Sequence, residues 1–251
     1  MRWDPSCYDA YADHRLRPGL ELMSRIVTEP SLVYDLGCGT GELTHHLSRR
    51  WPGAKVIGID NSEEMVSRAR PSATVTFLRQ SIEDWIPESA PDLIFSNAAL
   101  HWVTDHGSLF PRLLNELSPG GVLAVQMPDN WEEPTHVVID EEISRRGWKT
   151  RLEDHILRHP VAPIEQYLTW LVGAAEIDAW RTTYYQSMSG IDPVLRWVRG
   201  TLLVPLRSAL TDDEFQSLET ALAAKYRSAY PPRPSGTTVM PMSRLFIVAT
   251  R

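Results

Sequence analysis

Asp35, Gly37, Gly39 and Gly41 share one short loop, and Asp60 follows the last glycine by nineteen residues. The stretch reads Val33-Tyr34-Asp35-Leu36-Gly37-Cys38-Gly39-Thr40-Gly41. Glycine accepts backbone angles that a Cβ forbids, so this chain can turn sharply and approach a ligand closely. A helical pattern starts near Glu42, and the positive end of that helix points at the same place. Asp60 closes the apolar run Val56-Ile57-Gly58-Ile59, where a carboxylate can accept both hydroxyls of a ribose. This is the chemistry of holding a nucleotide-like ligand on the end of a parallel sheet. The competing reading is a tight strand-to-helix turn with no ligand.

The spacing separates two ligand classes. A dinucleotide loop runs G-x-G-x-x-G, and here its third glycine position is Glu42. A pyrophosphate would be repelled by Glu42 and by Asp35. S-adenosyl-L-methionine carries no phosphate but an ammonium, a carboxylate and a sulfonium, so acids around the loop favour it. Asp35 is placed to meet the ammonium, directly or through water. The pattern acid-x-G-x-G-x-G with Asp60 resembles the class I methyltransferases. That resemblance implies a Rossmann-like α/β fold: a doubly wound, mostly parallel seven-stranded sheet.

The elements needed to position these residues are legible along the chain. Strand signals fall at Leu32–Leu36, Lys55–Ile59, Val75–Leu78, Asp92–Ser96 and Val122–Gln126, with helix patterns between them. A short helix is expected at Glu21–Val27, and others at Leu43–Arg50, from Ser62, and at Leu109–Leu117. Apolar strands alternating with helices indicate a parallel sheet covered on both faces. Two further strands, Ala179–Tyr185 and Arg244–Thr250, are expected to join it as a hairpin-like pair. The whole chain, 1–251, reads as one domain with helical lid insertions at about 128–176 and 190–235. Ligands of such sheets lie beyond the carboxyl ends of the strands, so a lid there would cover the methyl donor.

Composition narrows the partners. The 251 residues are 43% hydrophobic and 23% charged, ordinary for a water-soluble domain, and the net charge is −7 without any basic run. Nucleic acid is therefore not an expected partner. No apolar run approaches the roughly 18 residues of a membrane span, and no signal peptide opens the chain. Two cysteines, Cys7 and Cys38, make no disulfide framework, which fits a reducing cytoplasm. His155 and His159 have helical spacing but no third ligand, so no metal is expected.

The remaining donor contacts follow from the strand ends. Asn61 joins Asp60 at the ribose, and Met65 and Ile82 can cover the adenine. Ser81 stands where class I methyltransferases usually carry an acid for the adenine amino group, so its hydroxyl or a backbone group must serve. The Asn97 carbonyl would face the methionine part. The small Ala98 would let the methyl reach the acceptor.

Methyl transfer is an in-line displacement, and the protein's task is to align the acceptor and exclude water. A carboxylate acceptor is already ionised and needs no base, whereas a hydroxyl does. Arginines and hydrogen-bond donors then matter more than a catalytic base. His101 is the one candidate base should the acceptor be a hydroxyl.

The stretches VQMPDNWEEPTH, IDAWRTTYYQSM and SRLFIVATR, with WDPSCYDAYADHRLRP and SNAALHWVTDH, resemble the trans-aconitate methyltransferases over nearly the full length. The family transfers methyl from S-adenosyl-L-methionine to one carboxylate of trans-aconitate, leaving S-adenosyl-L-homocysteine. The resemblance implies a small tricarboxylate substrate, Arg181 and Arg244 as carboxylate clamps, and Tyr184 as a hydrogen-bond donor. It also implies Trp102, Gln126 and Trp131 around the acceptor, and Arg15 on the donor's carboxylate near Trp3 and Tyr8. The assembly is expected to be a monomer or weak homodimer. A carrier-protein-linked malonyl group is a second acceptor, although it would want a basic docking patch. A non-catalytic S-adenosylmethionine-binding module and a nicotinamide-dependent dehydrogenase are the alternatives from other classes.

Overall fold

The computed structural model describes residues 12–155 and 161–251, with side chains from Leu16 onward. The chain divides into two compact units. One contains Asp13–Pro128, Val161–Thr182 and Arg244–Arg251; the other contains 129–155 and Thr183–Ser243.

The first unit is built on the parallel sheet. Its strands are β1 (Leu32–Leu36), β2 (Lys55–Asp60), β3 (Val75–Arg79), β4 (Leu93–Asn97) and β5 (Val122–Pro128). β6 (Glu176–Met188) and β7 (Thr238–Thr250) complete the order β3-β2-β1-β4-β5-β7-β6. β1 pairs in parallel with β2 and β4, β2 with β3, and β4 with β5. β7 enters antiparallel between β5 and β6, and both late strands run 13 residues, longer than their apolar cores suggest. The expected start of β4 at Asp92 is instead a brace. Its carboxylate accepts the amides of Ser31 (2.9 Å) and Leu32 (3.2 Å) and the Ser118 hydroxyl (2.8 Å), tying the entries of three strands together.

The helices of this unit are α1 (Ala12–Ser24), α2 (Glu42–Arg50), α3 (Glu63–Arg68) and α4 (His106–Glu116). α1 replaces the expected helix at Glu21–Val27. Its last residue, Ser24, turns its hydroxyl back to the Glu21 carbonyl at 2.7 Å. Val27 stands exposed beyond the end while Leu22, Met23 and Ile26 are buried. The core on one sheet face joins Leu36, Ile59, Ile94, Val125 and Leu245 to Phe110 and Leu113 of α4.

The second unit is mainly helical, with α5 (Pro134–Arg145), α7 (Pro193–Arg199), α8 (Val204–Ala209) and α9 (Asp212–Ala229). Thr211 and Glu214 form the capping box that starts α9. α6 (Ile164–Trp170) does not belong here. Its Tyr167 is fully buried against His106 and Phe110 of α4, so residues 161–176, inside the expected first insertion, pack with the sheet. None of the described helices is long and apolar enough to cross a membrane.

Candidate active site at the carboxyl ends of the strands

The glycine loop is held by its own backbone. The Gly37 and Cys38 amides both donate to the Ile59 carbonyl, at 2.8 and 3.0 Å, and the Gly41 amide donates to the Cys38 carbonyl at 3.0 Å. The Gly39 amide donates to Asp60 Oδ2 at 2.9 Å. A phosphate cradle needs loop amides turned outward; these four are turned into the protein. At Gly37, φ is +77° and a Cβ would stand 2.1 Å from the Ala99 Cβ, so only glycine fits. At Gly39, φ is +56° and nothing lies within 4 Å of where a Cβ would point, which leaves the loop's outer surface open to a ligand. Gly41, at φ +86°, caps α2.

Two acids stand beside that open surface. Asp35 is 2% exposed, and its Oδ2 accepts the Thr44 hydroxyl at 2.6 Å. Burial, reinforced by the charge of Asp60, pushes its pKa up to about 7. The Asp60 carboxylate also accepts the Ser62 amide at 2.9 Å, and each of its oxygens keeps a lone pair for a further donor. Asn61 is exposed and Met65 half-buried at the start of α3. Ile82 is buried, and the Ser81 hydroxyl is bonded to the Glu83 carboxylate while accepting the Glu83 amide at 3.2 Å. An adenine amino group would therefore meet the backbone here rather than an open hydroxyl. Arg112 of α4 fixes this loop by donating to the carbonyls of Trp85 (2.6 Å) and Ile82 (2.9 Å).

The sheet register carries these groups to one face. Asp35 lies opposite Gly58 and Phe95, so Asp60 and Asn97, two residues further along their strands, point the same way. Asn97 lies opposite Gln126, and Gln126 opposite Phe246. Arg244, two residues from Phe246, completes the row Asp60–Asp35–Asn97–Gln126–Arg244. Trp180 stacks on Phe246 with 4.8 Å between centroids and 4° between planes, and Arg25 covers Trp180 at 5.1 Å. Gly19 brings α1 onto this face: a Cβ there would come 3.2 Å from Asn97 Cγ and 2.5 Å from a Leu43 methyl. Arg15 lies one helical turn before Gly19, with its side chain outside the described atoms. Trp3, Tyr8 and His159 lie outside the described residues.

The expected arginine pair is not on one face. Arg181 alternates with Trp180 and shares the side of Ile177 and Ala179, which pack into the core beneath α4 and α6. It is exposed there, opposite in direction to Arg244. Tyr184 is separated from Arg181 by three strand positions and so also faces away from it. It packs against the helical unit's core with Met188 and Met242. Trp131 belongs to the helical unit, with its ring 5.0 Å from His136 and its Nε1 buried. Trp102 is 46% exposed and lies 4.8 Å from the His101 ring.

At this end of the sheet Asn97 Oδ1, His101 Nδ1 and Gln126 Nε2 are buried without a hydrogen-bond partner among the described residues. Each such atom costs about 1–3 kcal/mol when it stays unmatched, so they mark where a polar ligand belongs. Ala98 between them adopts φ 52°, a strained angle for a residue with a Cβ, while its amide donates to the Gln126 carbonyl at 2.9 Å. Burial, with the charges of Arg244 and His106, lowers the His101 pKa to about 3, so the ring is neutral across the physiological range. Behind it, His106 Nε2 bonds the Leu100 carbonyl at 2.9 Å and His106 Nδ1 bonds the Tyr167 hydroxyl at 2.7 Å. The carbonyl only accepts, so Nε2 carries the proton and Nδ1 accepts from Tyr167. Sequence reading missed Thr44, Arg112, His106 and Tyr167, because each meets its partner only once separate elements have packed: Thr44 of α2 on Asp35 of β1, Arg112 on the Ile82–Trp85 loop, and His106 with Tyr167 across α4 and α6.

The buried Asp35, the half-buried Asp60, inward-turned loop amides and the unmatched Asn97 carbonyl suit a cationic, phosphate-free ligand such as S-adenosyl-L-methionine and do not suit a dinucleotide. Among the described residues no cluster of three or more His, Cys, Asp or Glu is arranged to hold a metal.

The comparisons with known proteins point the same way. A family model described as a methyltransferase domain matches residues 33–121, the span from β1 to the turn before β5. In fold the chain is similar to the YcgJ protein of Bacillus subtilis, with a TM-score of 0.61 at 16% identity over 95% of this chain and 98% of that one. In sequence it is 43% identical over 252 residues to a trans-aconitate 2-methyltransferase of Escherichia coli O1:K1 / APEC, covering 99% of this chain and 98% of the relative. It is 40% identical over 251 residues to the protein of that name from Mycobacterium tuberculosis (strain ATCC 25177 / H37Ra), covering 98% and 96%. With both lengths matched almost end to end at this identity, the chain belongs to the trans-aconitate 2-methyltransferase family.

Proposed function

We propose that this methyltransferase converts trans-aconitate to a monomethyl ester, using S-adenosyl-L-methionine as donor. The observation that carries the reading is the single row on the sheet face, with two acids at one end and Gln126 and Arg244 at the other. The acids suit the donor's cationic groups, and the amide and guanidinium suit an anionic acceptor. When bound, S-adenosyl-L-methionine supplies an electrophilic methyl: a carboxylate oxygen forms the new C–O bond as the S–C bond breaks, and the electron pair stays on sulfur. No proton moves, so the site needs no base. Asp35 meets the donor's ammonium, Asp60 with Asn61 the ribose, and Ile82 with Met65 the adenine. The Asn97 carbonyl faces the methionine part, and the small Ala98 leaves the methyl accessible. Arg244 anchors a carboxylate of the acceptor. The test is mass spectrometry of the products formed from a panel of tricarboxylic and monocarboxylic acids. A methyl ester from trans-aconitate, with saturation, is the expected result; turnover confined to monocarboxylates would refute it.

A further inference from the structure

We infer that His101 is a neutral hydrogen-bond donor that grips the reacting carboxylate of the acceptor through Nδ1, together with the Gln126 amide. The inference rests on the carboxylate-methylating reading above and assigns His101 a role other than that of a base.

His101 Nδ1 and Gln126 Nε2 are both buried and both without a hydrogen-bond partner among the described residues; His101 lies in the short 3-10 turn Leu100–Trp102 that follows β4, and Gln126 stands on β5 opposite Asn97, the last residue of β4. Two unmatched nitrogens at one end of the sheet fit one acceptor with two lone-pair-bearing oxygens, and a carboxylate has that shape. Gln126 can only donate through Nε2. A carboxylate only accepts, so His101 Nδ1 carries the proton when it binds.

The choice of neutral donors has a chemical reason. A guanidinium forked onto the attacking carboxylate would draw electron density from the oxygen that must displace sulfur. Neutral N–H groups orient that oxygen with less loss of nucleophilicity. The positive charge of Arg244 then serves a non-reacting carboxylate of a polyanionic acceptor. The ring is kept uncharged by its surroundings: it is buried, and Arg244 of β7 and His106 of α4 are the ionisable groups that act on it. The His106–Tyr167 pair holds the carbonyl of Leu100, the residue before His101, and so sets the direction of the ring.

The test compares three substitutions at His101. Asparagine puts an N–H near the place of Nδ1, glutamine reaches toward the place of Nε2, and alanine removes both. With trans-aconitate, H101A is expected to lose about 20- to 100-fold in kcat/KM, the worth of a hydrogen bond to a charged group. H101N is expected to recover to within about tenfold of wild type, while H101Q stays near H101A. Titration calorimetry of trans-aconitate into protein saturated with S-adenosyl-L-homocysteine should show the same ranking in acceptor affinity. Affinity for S-adenosyl-L-homocysteine itself should be unchanged in all three, which a merely structural loss would not allow. With S-adenosyl-L-methionine saturating at every pH, so that Asp35 is already engaged, the wild-type pH profile for trans-aconitate should lack a limb near the usual imidazole pKa of about 6.5. An H101N variant as impaired as H101A, or a limb near that pH that vanishes in H101N, would overturn the donor role. If wild type makes no ester from trans-aconitate at all, the functional reading fails first and takes this inference with it.

Discussion

Asp35 keeps its carboxyl beneath the glycine loop, bonded to the Thr44 hydroxyl and close to the charge of Asp60. Burial there raises its pKa to about 7, above the value near 3.9 of an unfolded chain. The folded protein therefore holds this proton more tightly than the unfolded one. The group's contribution to stability is full below about pH 4 and is lost as pH rises through about 7. A donor ammonium reverses the preference, because a cation beside Asp35 favours its ionised form. Binding of S-adenosyl-L-methionine should thus release a proton, and affinity should rise from about pH 5 and level off above about pH 7. Calorimetry in buffers of different ionisation enthalpy reads the proton release directly. Asp35→Asn should abolish it and should stabilise the donor-free protein at pH 8 relative to wild type.

At the scale of elements, the site depends on loops that are held from behind. The adenine-side loop buries Ile82 and Trp85 in the core, and Arg112 reaches it from α4 to bond the carbonyls of both. Hydrogen bonds from a charged group are worth about 1.5–3 kcal/mol each. Arg112→Ala should weaken donor binding by about tenfold or more and leave the KM for the acceptor nearly unchanged. Fluorescence or calorimetric titration with S-adenosyl-L-homocysteine checks the first part, and steady-state kinetics the second. A KM effect on the acceptor alone would show that Arg112 acts elsewhere. Strand alternation works at this scale too. It turns Arg181 to the face opposite Arg244 although both lie on neighbouring strands.

Over the whole molecule, the helical unit has its own electrostatic centre. Glu142 of α5 is 2% exposed, and its carboxylate meets Arg145 at 2.6 Å, Arg146 at 3.3 Å and Lys225 of α9 at 3.3 Å. Arg145, with Lys225, holds its pKa down at about 2 despite burial. A depressed carboxylate stabilises the fold above its unfolded pKa of about 4.3 and loses that contribution as pH falls toward 2. Glu142→Gln should cost about 2 kcal/mol at pH 7 and almost nothing below about pH 2, measured by denaturant unfolding at both pH values. A pH-independent difference would mean that packing, not charge, dominates at this position. The net charge of −7 makes the chain repulsive to an anionic acceptor at a distance, so capture has to rest on local groups such as Arg244.

Much of this was legible in the linear order of residues, because it depends on local chemistry. The glycine spacing excludes a diphosphate loop, Asp60 ends a strand, and alternating apolar runs and helices make a parallel sheet. The five parallel strands follow from apolar runs that only a sheet buried on both faces explains. Nothing local could reveal which distant groups meet. That the loop amides turn inward, that Ser81 is occupied by Glu83, and that α6 packs with the sheet are outcomes of packing between segments far apart in the chain. The same holds for the row from Asp60 to Arg244. Register across five strands places those residues on one face and leaves Arg181 off it, and register is settled only when the strands pair.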